Sequence, residues 1–315
     1  MARALRLGIC AYGPCRTAGG PSPFDLKQSV EEACKLLRQV KAEGADLALL
    51  PEIFALQNCA DWAAEAEPLD GYVVTQLREE AKRLNMGIAA GHALVIDSRK
   101  RNSLVLIGRG GDVLALYHKA YPTINELEKG IVPGSGAQVV ETEFGRIGFA
   151  ICYDLNFAEL RLAYRDLDPD LLLFSSYFRG GLETRWWAYE TRSHLVSSCI
   201  DPESVIVNPV GRVLAQTDFR TRKATVTLNL DCEVLHYDYT NLRLEEAIQR
   251  HGAALEFDWA EPEGVFLLSS TGPRNVREIL EEFGWEGAEA YFARARRLRE
   301  DVLLGKTISQ AKSAW

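Results

Sequence analysis

The order of elements is the strongest constraint on this chain of 315 residues. "LRLGICAY" (5–12) reads as an opening strand, followed by a loop rich in Gly, Pro, Ser and Thr over 13–23. From Asp25 onward, "DLKQSVEEACKLLRQVKAEGA" sets Val30, Ala33, Leu36, Leu37 and Val40 on one face at helical spacing. Gly44 ends that helix, and "DLALLPEIF" follows as a short buried strand broken by Pro51. A second helix is expected over 69–84, then three consecutive strands in "MGIAAGHALV", "NSLVLIG" and "DVLALYHK". Next come a strand pair at 138–141 and "RIGFAIC", a helix to about Leu167 and the strand "DLLLFSS". "TRWWAYETRSHLVSS" reads as a helix, with "SVIVN", "RVLAQT" and "ATVTLNL" as strands. Helix, strand, helix and strands thus occur once before Lys119 and once after Cys152. This order implies an α/β fold: a four-layer α-β-β-α sandwich of two similar halves, sheet on sheet with helices outside. The segment 238–315 is charged and reads as mostly helical, its clearest amphipathic part being "NVREILEEFGWEGAEAYFARARRLREDVLL". It is expected as an extension packed on the main domain, 1–237, or on a partner subunit.

Composition narrows the class of function. The chain is 47% hydrophobic and 25% charged, ordinary for a soluble globular protein, and its net charge is −8. It therefore offers no basic footprint for nucleic acid or anionic lipid. No apolar run approaches a membrane span, and "MARALRLGICAYG" is too short and strand-like for a signal peptide, so a cytoplasmic protein is expected. Seven cysteines, Cys10, Cys15, Cys34, Cys59, Cys152, Cys199 and Cys232, form no C-x-x-C pair, so neither a zinc site nor a redox dithiol is signalled. The expectation is free thiols, no metal and no cofactor.

Three apolar strands end in a chemically potent residue: "LALLPE" in Glu52, "LALYHK" in Lys119 and "IGFAIC" in Cys152. Strand ends of α/β sheets are where sites form, because rigid elements aim side chains while loops shape a pocket. A carboxylate, an ammonium and a thiol meeting there make a workable nucleophilic site: base, oxyanion stabiliser and nucleophile. Taken singly, each has a plain structural reading. Glu52 could be a solvated or capping carboxylate, Lys119 a solvated strand end and Cys152 one more buried small hydrophobe.

Taken together, these residues carry a resemblance. The chain is similar to the nitrilase, or carbon–nitrogen hydrolase, superfamily over roughly 6–230, through "LLPEIF", Asn102-Ser103 with "GDVLALYHKAYP", "GRIGFAICYDLNFAEL" and "SVIVNPVGRVLA". The resemblance implies Glu52 as general base, Lys119 as oxyanion-side lysine and Cys152 as nucleophile. In "HKAYPTINELEKG", Glu126 takes the place of a second glutamate, with Glu128 the weaker candidate. The implied chemistry is hydrolysis of a non-peptide C–N bond through a cysteine thioester, with the backbone N–H of Tyr153 at the oxyanion. The cation and the helix start after Cys152 favour thiolate while the carboxylates oppose it, so a finely balanced resting thiol is expected.

The chain departs from the family pattern at Ala158, where proline is usual, at "RSHLVSS" and at "CAYGP". "CYD" leans toward amidases and carbamoylases, whereas the "PT..E" stretch leans toward nitrilases. A small amide or N-carbamoyl substrate is the leading expectation, nitrile hydrolysis the alternative, and a non-catalytic scaffold the reading from another class. Retention of Glu52, Lys119 and Cys152 together argues against the scaffold. Tyr121, Tyr177, Phe178 and Trp186 are pocket candidates by position, with Tyr153 and Trp187 beside them and Asn156 and Arg179 possible at the mouth; core or interface packing is the plainer account of the Trp186–Trp187 pair. The resemblance also implies a homodimer or higher homo-oligomer pairing through the helices after the nucleophile strand.

Overall fold

The computed structural model describes residues 3–13, 16–17, 20–21, 24–200, 203–240, 243–260 and 264–308. Its contacts divide the chain into two compact units, Leu5–Leu228 and a second that takes in Asn229 onward together with the first residues of the chain.

The first unit is the sandwich expected from the order of elements. One six-stranded sheet runs, in spatial order, Lys223–Asn229, Ala4–Cys10, Leu47–Leu49, Gly87–Ile96, Arg99–Ile107 and Val113–His118. The other runs Val213–Gln216, Val205–Val207, His194–Cys199, Leu171–Ser176, Gly145–Ile151 and Val139–Thr142. Each contains three parallel strands that continue into antiparallel ones, so the two halves repeat one plan. Helices Leu26–Ala42 and Tyr72–Leu84 cover the outer face of the first sheet. Helices Ala158–Leu167 and Leu182–Thr191 cover the second.

The first helix shows why these residues fold this way. Asp25 caps it by accepting a bond from Gln28 N at 3.0 Å, and Val30, Ala33, Cys34, Leu37 and Val40 form its buried stripe. Leu36, expected on that stripe, is half-buried at its edge.

The inner faces of the two sheets meet through apolar side chains and a few directed bonds. The Tyr117 and Phe149 rings stack at 5.9 Å, one from each sheet. Ser175 Oγ donates to Leu50 O at 3.1 Å and Ser198 Oγ to Cys10 O at 2.7 Å, which ties strand ends of the second sheet to strand ends of the first. Each such bond gives a buried carbonyl a partner.

The helix expected over "TRWWAYETRSHLVSS" is corrected. Helix Leu182–Thr191 stops at Arg192, which is in the left-handed region at φ 57, and His194–Cys199 is a fully buried parallel strand beside Leu171–Ser176. Helical spacing continues through "SHLVSS", but a vacant sheet edge with apolar cover on both faces outweighs local propensity.

The second unit is mostly helical, with Leu244–His251, Val276–Phe283 and Ala288–Leu303 its longer helices. It also holds an antiparallel sheet that the sequence reading did not register, Cys232–His236, Val265–Ser270 and Leu255–Trp259, with Val265–Ser270 central. Leu235, Leu255, Phe266, Leu268, Ile279 and Phe283 form its own core.

One close approach positions the site. Pro51 cannot donate to a ladder, so the chain leaves the sheet after Leu50, whose N–H still bonds Ala89 O at 2.8 Å. Glu52 then passes directly over Gly91. A Cβ at Gly91 would lie 2.5 Å from Glu52 Cα and 2.7 Å from Ser175 Oγ. Gly91→Ala is therefore expected to destabilise the protein by about 1–3 kcal/mol through overpacking and to displace Glu52. Urea unfolding with a parallel activity assay checks this, and an unchanged midpoint with full activity would refute it.

Candidate active site

Glu52, Lys119, Glu126 and Cys152 come from four separate places in the chain and meet at one end of the sandwich. Lys119 follows strand Val113–His118 and Cys152 follows strand Gly145–Ile151. Glu126 is the third residue of the short helix Ile124–Glu128, where it forms a capping box with Thr123.

The Lys119 ammonium, 2% exposed, donates to Glu52 Oε1 at 2.9 Å and to Glu126 Oε2 at 2.8 Å. Asn102 Nδ2 bridges the same two carboxylates, reaching Glu52 Oε1 and Glu126 Oε1 at 2.7 Å each. Glu52 Oε2 accepts the backbone N–H of Tyr177 at 3.0 Å, and Glu126 Oε2 that of Thr123 at 2.7 Å. Each carboxylate accepts hydrogen bonds from several donors, the arrangement a buried charge needs in order to persist.

Electrostatics follow from this packing. Burial pulls the Lys119 ammonium down, but Glu52, Cys152 and Glu126 outweigh burial and hold it above the ordinary lysine value. Burial alone would raise Glu126, yet Lys119 and the Thr123 and Asn102 donors keep it below the usual carboxylate range. The Cys152 thiol lies within hydrogen-bonding reach of the Glu52 carboxylate and the Tyr177 N–H. Burial, reinforced by Glu52, pushes it up to about 12 against the pull of Lys119. Burial and the Glu52 carboxylate favour the neutral thiol, and Lys119 opposes them.

Two backbone positions here are unusual. Cys152 sits at φ 48 as the first residue of a 3₁₀ turn, Cys152–Asn156, and Ile53, directly after Glu52, sits at φ 39. A β-branched residue in the left-handed region is a true outlier, and strain of this kind, of order 1–3 kcal/mol per residue, persists only where surroundings over-determine it. Ile53 is locked by burial against Leu56, Ala93 and their neighbours.

The pocket candidates are placed as follows. Tyr177 touches the cluster through its main chain, while its hydroxyl bonds Gln57 O at 2.9 Å and its ring packs in the Ile53 cluster. Tyr121 stacks on Phe157 at 3.7 Å and donates to Glu159 at 3.2 Å; Tyr153, half-exposed, meets Phe157 edge-on at 5.3 Å. Phe178 is half-exposed against Phe174. Trp186 is half-exposed beneath the Arg161 guanidinium, 4.7 Å away, whereas Trp187 is core and donates to Leu155 O at 3.0 Å. Asn156 donates to Tyr153 O at 3.0 Å, and Arg179 pairs with Glu203 at 2.5 Å.

Asn102 is the site residue that sequence reasoning did not single out for a role. It stood inside a quoted motif, but only the fold shows that one amide joins both glutamates. Cys15 lies outside the described residues; Cys10, Cys34, Cys59 and Cys152 are free thiols. Among the described residues no His, Cys, Asp and Glu cluster could hold a metal ion, and no helix is long and apolar enough to cross a membrane.

A neutral resting thiol has a kinetic signature. Alkylation of Cys152 by iodoacetamide, followed by peptide mass spectrometry, is expected to accelerate about tenfold per pH unit from about pH 6 to 9 without levelling, because only the thiolate reacts. A plateau near neutrality would contradict this electrostatic account.

Comparison with known proteins places the chain in a family. A family model described as "Carbon-nitrogen hydrolase" matches residues 8–200. The chain is 28% identical to the human omega-amidase NIT2 over 235 residues, covering 66% of this chain and 84% of that protein. It is also 28% identical to the chloroplastic omega-amidase of Arabidopsis thaliana, covering 72% and 69%. Among solved structures, Nit3 of Saccharomyces cerevisiae superposes with a TM-score of 0.63 at 16% identity, covering 72% of this chain and 90% of that one. An amidase from Nesterenkonia sp. gives 0.62 at 21% identity, covering 78% and 95%. The chain belongs to the carbon–nitrogen hydrolase family and is a hydrolase of carbon–nitrogen bonds other than peptide bonds.

Proposed function

We propose that this enzyme hydrolyses a small amide or N-carbamoyl compound through a thioester on Cys152. The observation that carries the reading is the Lys119 ammonium bonded to both Glu52 and Glu126 beside the Cys152 thiol. Similarity to omega-amidases supports an amide substrate, as does the Nesterenkonia amidase, one structure of which bears the acetamide moiety of fluoroacetamide covalently at its active-site cysteine.

In the first step Glu52 takes the proton of the Cys152 thiol as the sulfur attacks the carbonyl carbon. With the thiol neutral at rest, base and nucleophile act together rather than through a standing thiolate. The oxygen of the tetrahedral intermediate gathers negative charge and is held by Lys119 and the Tyr153 N–H. Two of the three ammonium hydrogens are committed to the glutamates, which aims the third at that oxygen. The C–N bond then breaks, the leaving nitrogen takes the proton from Glu52, and a thioester remains. Water, losing its proton to Glu52 or Glu126, attacks the thioester; the acid departs and the sulfur recovers its proton.

The test is ammonia release from a panel of short amides, N-carbamoyl amino acids and nitriles. Turnover of an amide or carbamoyl compound is expected, with Cys152→Ala and Glu52→Gln each reducing kcat by at least about 1,000-fold, as for loss of a nucleophile or its base. Turnover of nitriles alone would replace the substrate class. No turnover, with Cys152 no more reactive than the other thiols, would leave a scaffold.

The same reading extends to assembly and setting. Leu182 at 72% and Trp186 at 52% exposure on helix Leu182–Thr191 support a homo-oligomer paired through the helices after the nucleophile, since large apolar side chains in water favour a partner. Sedimentation is expected to give a dimer or larger, and Leu182→Glu with Trp186→Glu to shift it toward monomer; an unaltered distribution would count against this face. The free thiols of Cys10, Cys34, Cys59 and Cys152 support a reducing, cytoplasmic setting.

A further inference from the structure

Asp154 stands two residues after Cys152, is fully buried, and has no part in the proton transfers above. Its carboxylate is the meeting point of two chain segments. Oδ1 accepts the backbone N–H of Tyr121 at 2.8 Å, and Oδ2 accepts the backbone N–H of Ile151 at 2.9 Å and the Tyr117 hydroxyl at 2.8 Å. Tyr117 and Tyr121 flank Lys119 on the first sheet's strand end, while Ile151 directly precedes Cys152 on the second's. One side chain therefore receives bonds from both sides of the lysine and from the residue before the nucleophile.

The chemistry of the acceptor matters. A carboxylate presents only lone pairs, so it can take two main-chain N–H groups and a hydroxyl at once. An asparagine of the same shape must turn its NH₂ toward one of those N–H groups, setting donor against donor. The clasp also bears on the Cys152 turn, whose left-handed backbone needs outside restraint to persist. We propose that Asp154 is a positioning residue that holds Lys119 and Cys152 in catalytic register by clasping Tyr121 N–H from one sheet and Ile151 N–H from the other on a single carboxylate. This rests on Cys152 and Lys119 acting as nucleophile and oxyanion donor. Asp154 does not meet the substrate; it sets how far the cation stands from the sulfur.

The experiment compares Asp154→Asn, Asp154→Glu and Tyr117→Phe with the parent enzyme, each checked for folding by circular dichroism and thermal melting. D154N is expected to lower kcat about 100-fold with KM within about threefold, the pattern of a displaced catalytic group rather than lost substrate binding. Its Cys152 is expected to alkylate several-fold more slowly at fixed pH, because the cation no longer stands against the sulfur. D154E, which moves the carboxylate by one methylene, is expected to lose kcat about tenfold. Y117F keeps both main-chain bonds and is expected to stay within about threefold on every measure.

Folded D154N with kcat and alkylation within threefold of the parent would overturn the proposal. So would a loss in Y117F as large as that in D154N, which would mark general loosening. Should D154N fail to fold, D154E decides alone: an unchanged kcat and alkylation rate overturns the proposal, and a selective fall in kcat supports it. If the parent hydrolyses nothing in the panel, the proposed function falls, while the alkylation comparison still reads what Asp154 does to the thiol.

Discussion

A lysine ammonium buried between two glutamates is the interaction from which most of this molecule's features follow. Removing three charges from water is costly, and the cost is offset only if each is closely paired and its remaining hydrogen-bonding capacity filled. Here Asn102 joins the two carboxylates and the N–H groups of Tyr177 and Thr123 take up further lone pairs. Each donor comes from a different element, so the cluster exists only when both sheets, the loop after Ser176 and the short helix at Ile124–Glu128 are in place. Such a cluster is a poor source of stability and is better understood as chemistry that the rest of the fold supports.

The same cluster bears on the Cys152 thiol. A lone lysine beside a thiol favours its ionisation, whereas a lysine already paired with two carboxylates favours it less. Burial and Glu52 together push Cys152 up to about 12. In the proposed mechanism a sulfur that favours the neutral form gives up its proton to Glu52 as it attacks. The strain at Ile53 and Cys152 belongs to this picture. Each residue turns the chain sharply at the edge of the buried cluster, and dense packing around Ile53 and the hydrogen bonds around Cys152 keep those turns from relaxing.

Much of the fold was legible because it rests on local patterns. The apolar stripe of the first helix, Pro51 at the end of a strand and the alternation of helices with buried strands all follow from short-range rules. The reading failed where tertiary pairing overrides them, as at His194–Cys199, whose spacing suits a helix but whose neighbours supply a sheet edge. It also passed over the strands Leu255–Trp259 and Val265–Ser270, which stand among charged helical segments and pair with each other and with Cys232–His236. In the site, Glu52, Lys119, Glu126 and Cys152 stood out because reactive groups followed apolar runs or fell at motif positions. Asn102 did not, since an amide within a strand has no local signature and matters only for what lies opposite.

By itself, then, the sequence determined the class of architecture and the kinds of groups available: a carboxylate, an ammonium and a thiol, each at the end of a strand too apolar to lie in water. Those are properties of residue type and spacing, which survive without knowledge of neighbours. Only the tertiary structure decided that one amide bridges both glutamates, that the Cys152 thiol is buried beside Glu52 and Lys119, and that Asp154 is buried against both strand ends. Those depend on burial and on distances of about 3 Å between residues far apart in the chain, and the free energy of a charge changes steeply over that range.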